Sequence, residues 1–292
     1  MQPSPHRFHI PVMGLGYTID TPIKVAKYGI DSVISIIQDD LIEKARSYYC
    51  QQFQVPYEPI TKDQPDYRNR RITAYLNLVN EWVENSFQEL IASQEGLNKY
   101  ASLLPGNRTA MWLLDHPEWI RKGSIDVNIM TKLDRQPGKD DSVLSEACSA
   151  LKGYAESDLD SNLILSAGLN PRLFAYMQSF DDFYPDATGY IKKRIVVKVS
   201  DFRSALLQGK MLAKKGLWVS EYRIESGLNC GGHTFATEGL LMGPILEEFK
   251  QERANMLQEQ LDLCQVAWES SGKHRIANQC IRHCIGHIDG IV

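Results

Sequence analysis

No run of apolar residues in this chain approaches the roughly 20 needed to cross a bilayer, so no membrane contact through a spanning helix is expected. The first residues, MQPSPHRFHIPVMG, lack the basic head and long apolar core of a secretory leader. An excess of one charge is also lacking. A net charge of −4 and an isoelectric point near 6.0 offer no basic surface for nucleic acid or anionic lipid. Cysteines are few, with six scattered at 50, 148, 230, 264, 280 and 284. A chain of this size does not need disulfide staples, and the pattern suits reduced thiols in a cytoplasmic protein. A dinucleotide fingerprint is missing as well: Gly14-Leu15-Gly16 has neither the third glycine nor the following acid of a Rossmann site. What is present is 292 residues, 43% hydrophobic and 23% charged. That is the composition of a globular protein with one large domain or two ordinary ones.

The first 37 residues spell β-α-β. Phe8–Val12 is a short apolar run that ends in a glycine loop, Met13-Gly14-Leu15-Gly16. Asp20 and Thr21 offer a helix cap, Pro22 suits a first turn, and Gly29 a stop. Asp31–Ile37 is β-branched and almost continuously apolar, as a strand buried on both faces should be. Residues 39–122 then break the rhythm with helical spacing. Ile72, Tyr75, Leu76, Val79, Trp82, Val83 and Phe87 fall on one face. A proline-containing connector precedes them, with a basic cluster at Arg68–Arg71 that reads as a solvated helix entrance. The Trp and Tyr residues of this segment read as packing anchors.

Strands return at Ile125–Met130, Asn162–Ser166 and Arg194–Val199, with helices expected over Ser142–Tyr154, from Leu173, and over Phe202–Lys215. Val219–Glu238, VSEYRIESGLNCGGHTFATE, follows as a strand running into Gly231-Gly232-His233. Two adjacent glycines let backbone pass close to a bound group, and histidine titrates near neutrality. Strands alternating with helices imply a parallel sheet of barrel type, whose chemistry lies at loops following the strands. Gly14–Gly16, Asn128, Gly168 and Gly231–His233 all occupy such positions.

The series PVMGLGYTIDTPIKVAKYGIDSVISI, IDVNIM, NLILSAGLNP and VKVSDFRSALLQGKMLAKKGLWVSEYRIESGLNCGGH resembles the nitronate monooxygenase family, which includes flavin-dependent enoyl-ACP reductases. That family shows a proline-methionine-glycine strand end, a helix, an apolar strand, a GVN strand, a GLP strand end, a strand–helix unit and a GGH loop, in this order. The likeness covers Phe8–Ile37 and Ile125–Gly239, about half the chain. It implies an FMN-dependent redox reaction on a small organic substrate in a TIM barrel. By resemblance, Met13 and Gly14 lie beside the flavin ring, Asn128 hydrogen-bonds it, and Gly231 and Gly232 approach it. His233 occupies the place of the catalytic histidine. Ser226 stands where the family has Gln or Glu, and belongs to the same cofactor-binding set. Cys230 replaces a small residue and reads as packing.

Beyond Leu240 the family's expected GGI turn and GT loop, which bind the FMN phosphate, are replaced by LMGPILEEFKQERANMLQEQLDLCQVAWESSGKHRIANQCIRHCIGHIDGIV. Ile245–Trp268 reads as one helix with Leu246, Phe249, Ala254, Leu257, Leu261 and Leu263 on its apolar side. His274, Cys280, His283, Cys284 and His287 lack paired zinc-module spacing, so no metal is expected. The resulting expectation is an α/β chain of (β/α) TIM-barrel type, incomplete at about five to six strands. Residues 1–38 form its first β-α-β, 39–122 a helical insertion, 123–244 the barrel continuation, and 245–292 a C-terminal helix and tail. Such a chain is expected to be the front of a longer enzyme, or to be completed by an oligomeric or separate partner. Alternatives are an inactive partial barrel serving as an interaction subunit, a glutamate synthase-like flavin barrel, and an aldolase-like barrel using Lys198.

Overall fold

The computed structural model describes residues 9–10, 18–36, 38–104, 107–116, 119–130, 134–136, 144–166, 168–225 and 242–276. Six strands form one sheet whose order follows the sequence. They are β1 (His9–Ile10), β2 (Asp31–Ile36), β3 (Ile125–Ile129), β4 (Ser161–Leu165), β5 (Lys193–Val199) and β6 (Val219–Ile224). The β1–β2 and β5–β6 pairs are parallel, and a parallel return needs a crossover rather than a hairpin. The class is mixed α/β with a parallel sheet, as the alternation predicts. Two compact units divide the chain, residues 1–128 with 152–161 and residues 129–151 with 162–292. No helix among the described residues is long and apolar enough to cross a membrane.

In the first unit, α1 (Thr21–Val25) carries Pro22 in its first turn and passes through a tight turn over Ala26–Tyr28. Gly29, at φ 80°, then supplies the left-handed stop. Asp20 does not cap the helix as expected. Its carboxylate accepts the Tyr49 hydroxyl at 2.5 Å and pairs with Lys24 at 2.8 Å. A tertiary donor has taken the group that local sequence assigns to the helix start.

The segment after β2 is helical, comprising α2 (Asp39–Gln52), α3 (Tyr67–Ile91), α4 (Gln94–Ser102) and α5 (Asn107–Asp115). Ile72, Tyr75, Leu76, Val79, Val83 and Phe87 of α3 are buried, each worth about 1.5–3 kcal/mol relative to exposure. Trp82 is half-buried at the edge of that stripe and stacks on Phe53 with centroids 3.8 Å apart. Tyr75 and Tyr100 are fully buried anchors, whereas Trp112 and Trp119 stay 47% and 39% exposed, against the expected packing role.

The basic cluster also differs from expectation. Arg70 is exposed, but Arg71 is buried. Its Nε donates to the Ile60 carbonyl at 2.7 Å, and its guanidinium pairs with Asp39 and lies 3.5 Å from Glu43. Glu43 in turn accepts the Ile60 N–H and the Tyr57 hydroxyl, both at 2.9 Å, and Arg46 at 2.6 Å. These acids lie on α2, far upstream in sequence, so local composition reads the arginine as solvated. A buried cation is tolerated because it is paired. The same unit contains the end of α6 (Glu146–Ala155), where Gly153 lets α3 approach. A Cβ there would meet the Ile72 side chain at 2.7 Å and the Asn69 carbonyl at 2.8 Å. The helix begins at Glu146 rather than Ser142; residues 144–145 precede it as coil.

The second unit contains α7 (Pro171–Met177), α8 (Phe202–Ala213) and α9 (Met242–Ser271). Gly216 follows α8 at φ 71°, and its carbonyl accepts the buried Trp268 indole N–H at 2.7 Å. The buried stripe of α9 is Ile245, Phe249, Met256, Gln260, Cys264 and Trp268. Of the apolar side expected from sequence, only Phe249 is fully buried; Ala254 is exposed, and Leu246, Leu257, Leu261 and Leu263 are intermediate. Polar anchors cause this rotation. The Gln260 carboxamide oxygen accepts the Tyr222 hydroxyl of β6 at 2.7 Å, so a glutamine that hydropathy assigns to the surface marks the centre of the contact.

Candidate functional site

Ligands of parallel α/β sheets gather outside the carboxyl ends of the strands. In the first unit, β3 carries its polar groups on one face, whereas β2 has Asp31 and Ser35 on one face and buried Ser32 on the other. Strand alternation places Asp31, Val33 and Ser35 together on β2, and Asp126 with Asn128 on β3. Asn128 is buried, and its Nδ2 donates to the Ser35 hydroxyl at 3.1 Å. At the other end of β3, Asp31 accepts the Ser124 N–H at 2.7 Å, and the Ser124 hydroxyl donates to Asp126 at 2.5 Å. The opposite face of β3 holds buried Ile125, Val127 and Ile129. Apolar groups are what a strand covered on both sides normally presents; the carboxamide at the strand end departs from that pattern.

In the second unit, the β5–β6 register pairs Val196 with Glu221, Val197 with Tyr222 and Lys198 with Arg223. Tyr222 points at the helices, since its hydroxyl reaches Gln260 of α9 and would collide with a Cβ at Gly209 of α8. Period-two alternation therefore turns Glu221, Arg223 and Glu225 away from α8 and α9, with Lys198 beside them. Lys198 forms an ion pair with Glu225, their side chains 15% and 7% exposed. Arg223 donates from Nε to Glu221 at 2.7 Å. Glu225 is fixed by its backbone too, its N–H donating to the Val199 carbonyl at 2.8 Å. The outcome is a charged face, nearly withdrawn from solvent, at the carboxyl ends of two parallel strands.

Other groups that follow these strands are committed to structure. Asn170 after β4 accepts the Leu173 N–H at 3.0 Å and donates to Asp134 at 3.0 Å. Asp134 also accepts the Ala147 N–H at 3.0 Å. Asp201 after β5 accepts the Ser204 N–H at 2.7 Å, capping α8. An anionic cap on that helix start competes with any phosphate there. Burial raises the thiols of Cys50 and Cys148 and pushes Cys264 up to about 12, so none of the three is poised as a thiolate nucleophile. Among the described residues no group of three or more His, Cys, Asp or Glu could hold a metal ion.

Of the sequence-predicted site residues, Asn128 is placed at the buried end of β3. Met13, Gly14, Ser226, Gly231, Gly232 and His233 lie outside the described residues, as do Cys230 and the Cys280–His287 cluster. Lys198 is engaged with Glu225; a Schiff-base amine has to leave that contact before it can attack a carbonyl. Glu225, Arg223 and Glu221 were not singled out from sequence as site residues. The signal is present in their alternation with Tyr222 and Ile224, which predicts a strand but not that its charged face is buried. Comparison with family models, with curated proteins and with solved structures finds no match.

Proposed function

We propose that the chain is an FMN-dependent oxidoreductase of nitronate monooxygenase-like type, acting on a small organic substrate through a (β/α) barrel-type sheet. One observation supports this most. The strands carrying the family-like segments, DSVISI, IDVNI, SNLIL, KRIVVKV and VSEYRI, are all strands, and their order in the sheet is their order in the chain. Sequential order with helical crossovers is the arrangement of barrels that carry their sites at strand ends.

One feature of the described residues supports a flavin. A buried carboxamide at the end of β3, on a polar strand face, has the donor and acceptor atoms that the edge of an isoalloxazine requires. In this reading Asn128 would hold that edge, Met13, Gly14, Ser226, Gly231 and Gly232 would complete the cradle, and His233 would move the substrate proton. FMN, when bound, supplies the two-electron redox centre. The Lys198-dependent alternative is weaker, because its amine is engaged by a carboxylate.

The test is His233→Ala in the full chain. Turnover of a simple alkyl nitronate should fall by at least about a hundredfold, the low end of acid–base contributions, while flavin content stays at the wild-type level. Unchanged turnover in a flavin-loaded variant would remove histidine from the chemistry.

A further inference from the structure

Residues 53–66 join α2 to α3, and of them only Ile60 is buried. The segment is held by charge instead. One oxygen of Glu43, on α2, accepts the Ile60 N–H and the Tyr57 hydroxyl, each at 2.9 Å. Arg46 of α2 donates to the Glu58 carbonyl at 3.3 Å and lies 5.5 Å from the centroid of the Tyr57 ring. Arg71 of α3 donates to the Ile60 carbonyl at 2.7 Å. Lys62 reaches back to Asp40 of α2 at 2.7 Å, a contact open to solvent. Both ends of the segment are strained. Gln54 at φ 57° and Asp66 at φ 55° are the two non-glycine residues with left-handed backbone among the described residues, a conformation unfavourable for an L side chain. A segment with many buried apolar contacts leaves only when the fold does, whereas one with few opens locally. Loss of the negative charge on Glu43 would loosen the Ile60 amide, the Tyr57 hydroxyl and, through Arg46, the Glu58 carbonyl.

We propose that residues 53–66 are a strap that opens as one piece while α2 and α3 stay folded, with the charge on Glu43 as its latch. The groups that face Glu43 are Arg46 and the Cys50 thiol on α2, Arg71 on α3, and Tyr57 on the strap. Both arginines stay cationic, and burial raises the Cys50 thiol and the Tyr57 hydroxyl, so the carboxylate is the group that titrates on the acid side. Burial works against its charge, but hydrogen bonds from the Ile60 N–H, Arg46 and Tyr57 outweigh it and hold the carboxyl below 4.5. Two of those three bonds come from the strap, so the depression eases when the strap opens. Closure is therefore favoured at neutral pH and loses that support as pH falls through the closed-state value. Asp40 acts in the same direction, since its bond from Lys62 lowers its pKa as well. Opening uncovers the guanidinium groups of Arg46 and Arg71, whose side chains are 8% and 7% exposed beneath the closed strap. None of this depends on the flavin reading.

The experiment is hydrogen exchange of the full chain, read by mass spectrometry on peptides from residues 53–66 and from residues 72–87 of α3. Wild type and Glu43→Gln are compared at about pH 6.5 and about pH 3.5, with rates corrected for the intrinsic pH dependence of exchange. In wild type the strap should exchange faster than α3 at both pH values. Its protection should fall by at least about threefold on acidification, while α3 keeps its own. Glu43→Gln lacks the charge throughout, so its strap should exchange at the higher pH as the acid wild type does and lose most of the pH dependence. Strap and α3 losing protection together would make the segment part of global unfolding and overturn the proposal. Wild-type strap protection that does not change with pH overturns it, as does a pH dependence in Glu43→Gln equal to that of wild type. The wild-type comparison of the two peptides decides between local and global opening even where Glu43→Gln does not fold.

Discussion

Replacing Arg71 by methionine tests the packing of the helical segment most sharply. The substitution keeps an unbranched apolar stem and removes the guanidinium, whose side chain is only 7% exposed. Asp39, 10% exposed, loses its cation; the Ile60 carbonyl loses its 2.7 Å donor. Nothing nearby is in reserve, since Asp39 Oδ1 already has no hydrogen-bond partner. Glu43 keeps Arg46 at 2.6 Å, so the loss falls chiefly on one carboxylate. Removing one partner of a buried pair costs about 3–5 kcal/mol, and the retained Arg46 contact favours the lower end. Arg70 is the internal control. It is exposed and donates to Gln64 at 2.9 Å, so Arg70→Met should change stability by about 0.5 kcal/mol or less. Urea titration followed by circular dichroism measures both. Arg71→Met within about 1 kcal/mol of Arg70→Met, the range of a surface pair, would refute the buried network.

Two further predictions concern titrating groups. Burial works against the Glu43 carboxylate, but hydrogen bonds from the Ile60 N–H, Arg46 and Tyr57 outweigh it and hold its pKa below the ordinary 4.5. A carboxyl depressed by folding contributes stability above its unfolded pKa and loses it as pH falls through the folded value. The stability gap between wild type and Glu43→Gln should therefore be widest near neutrality and shrink as pH falls below 4.5; a gap constant with pH contradicts this. Cys264, pushed up to about 12 by burial, should resist a thiol-specific alkylating reagent in the native chain and react once urea unfolds it. Mass spectrometry of its peptide reads the difference, and equal labelling in both states contradicts the packing of α9.

Local patterns carried much of the fold. Pro22 and Gly29 bracket α1, the β-branched run from Asp31 marks β2, and α3 buries six of the seven residues its periodicity selects. What local pattern missed was set by partners distant in sequence. Asp20 answers to Tyr49, Arg71 to Asp39 and Ile60, and the rotation of α9 to Tyr222 and Gly216. The site divides in the same way. Asn128 could be placed at a strand end from its neighbours alone. The charged face of β6 looked like ordinary alternation, because no local pattern reports which side of a parallel sheet is closed to solvent.

Whether this chain holds FMN, as proposed, is tested most directly by purification of the full chain followed by reconstitution with FMN. The expected result is a yellow protein absorbing at about 450 nm, the flavin band, with flavin that stays bound through gel filtration and a reduced flavin content in Asn128→Leu. A colourless, folded protein that retains no FMN after reconstitution would contradict it.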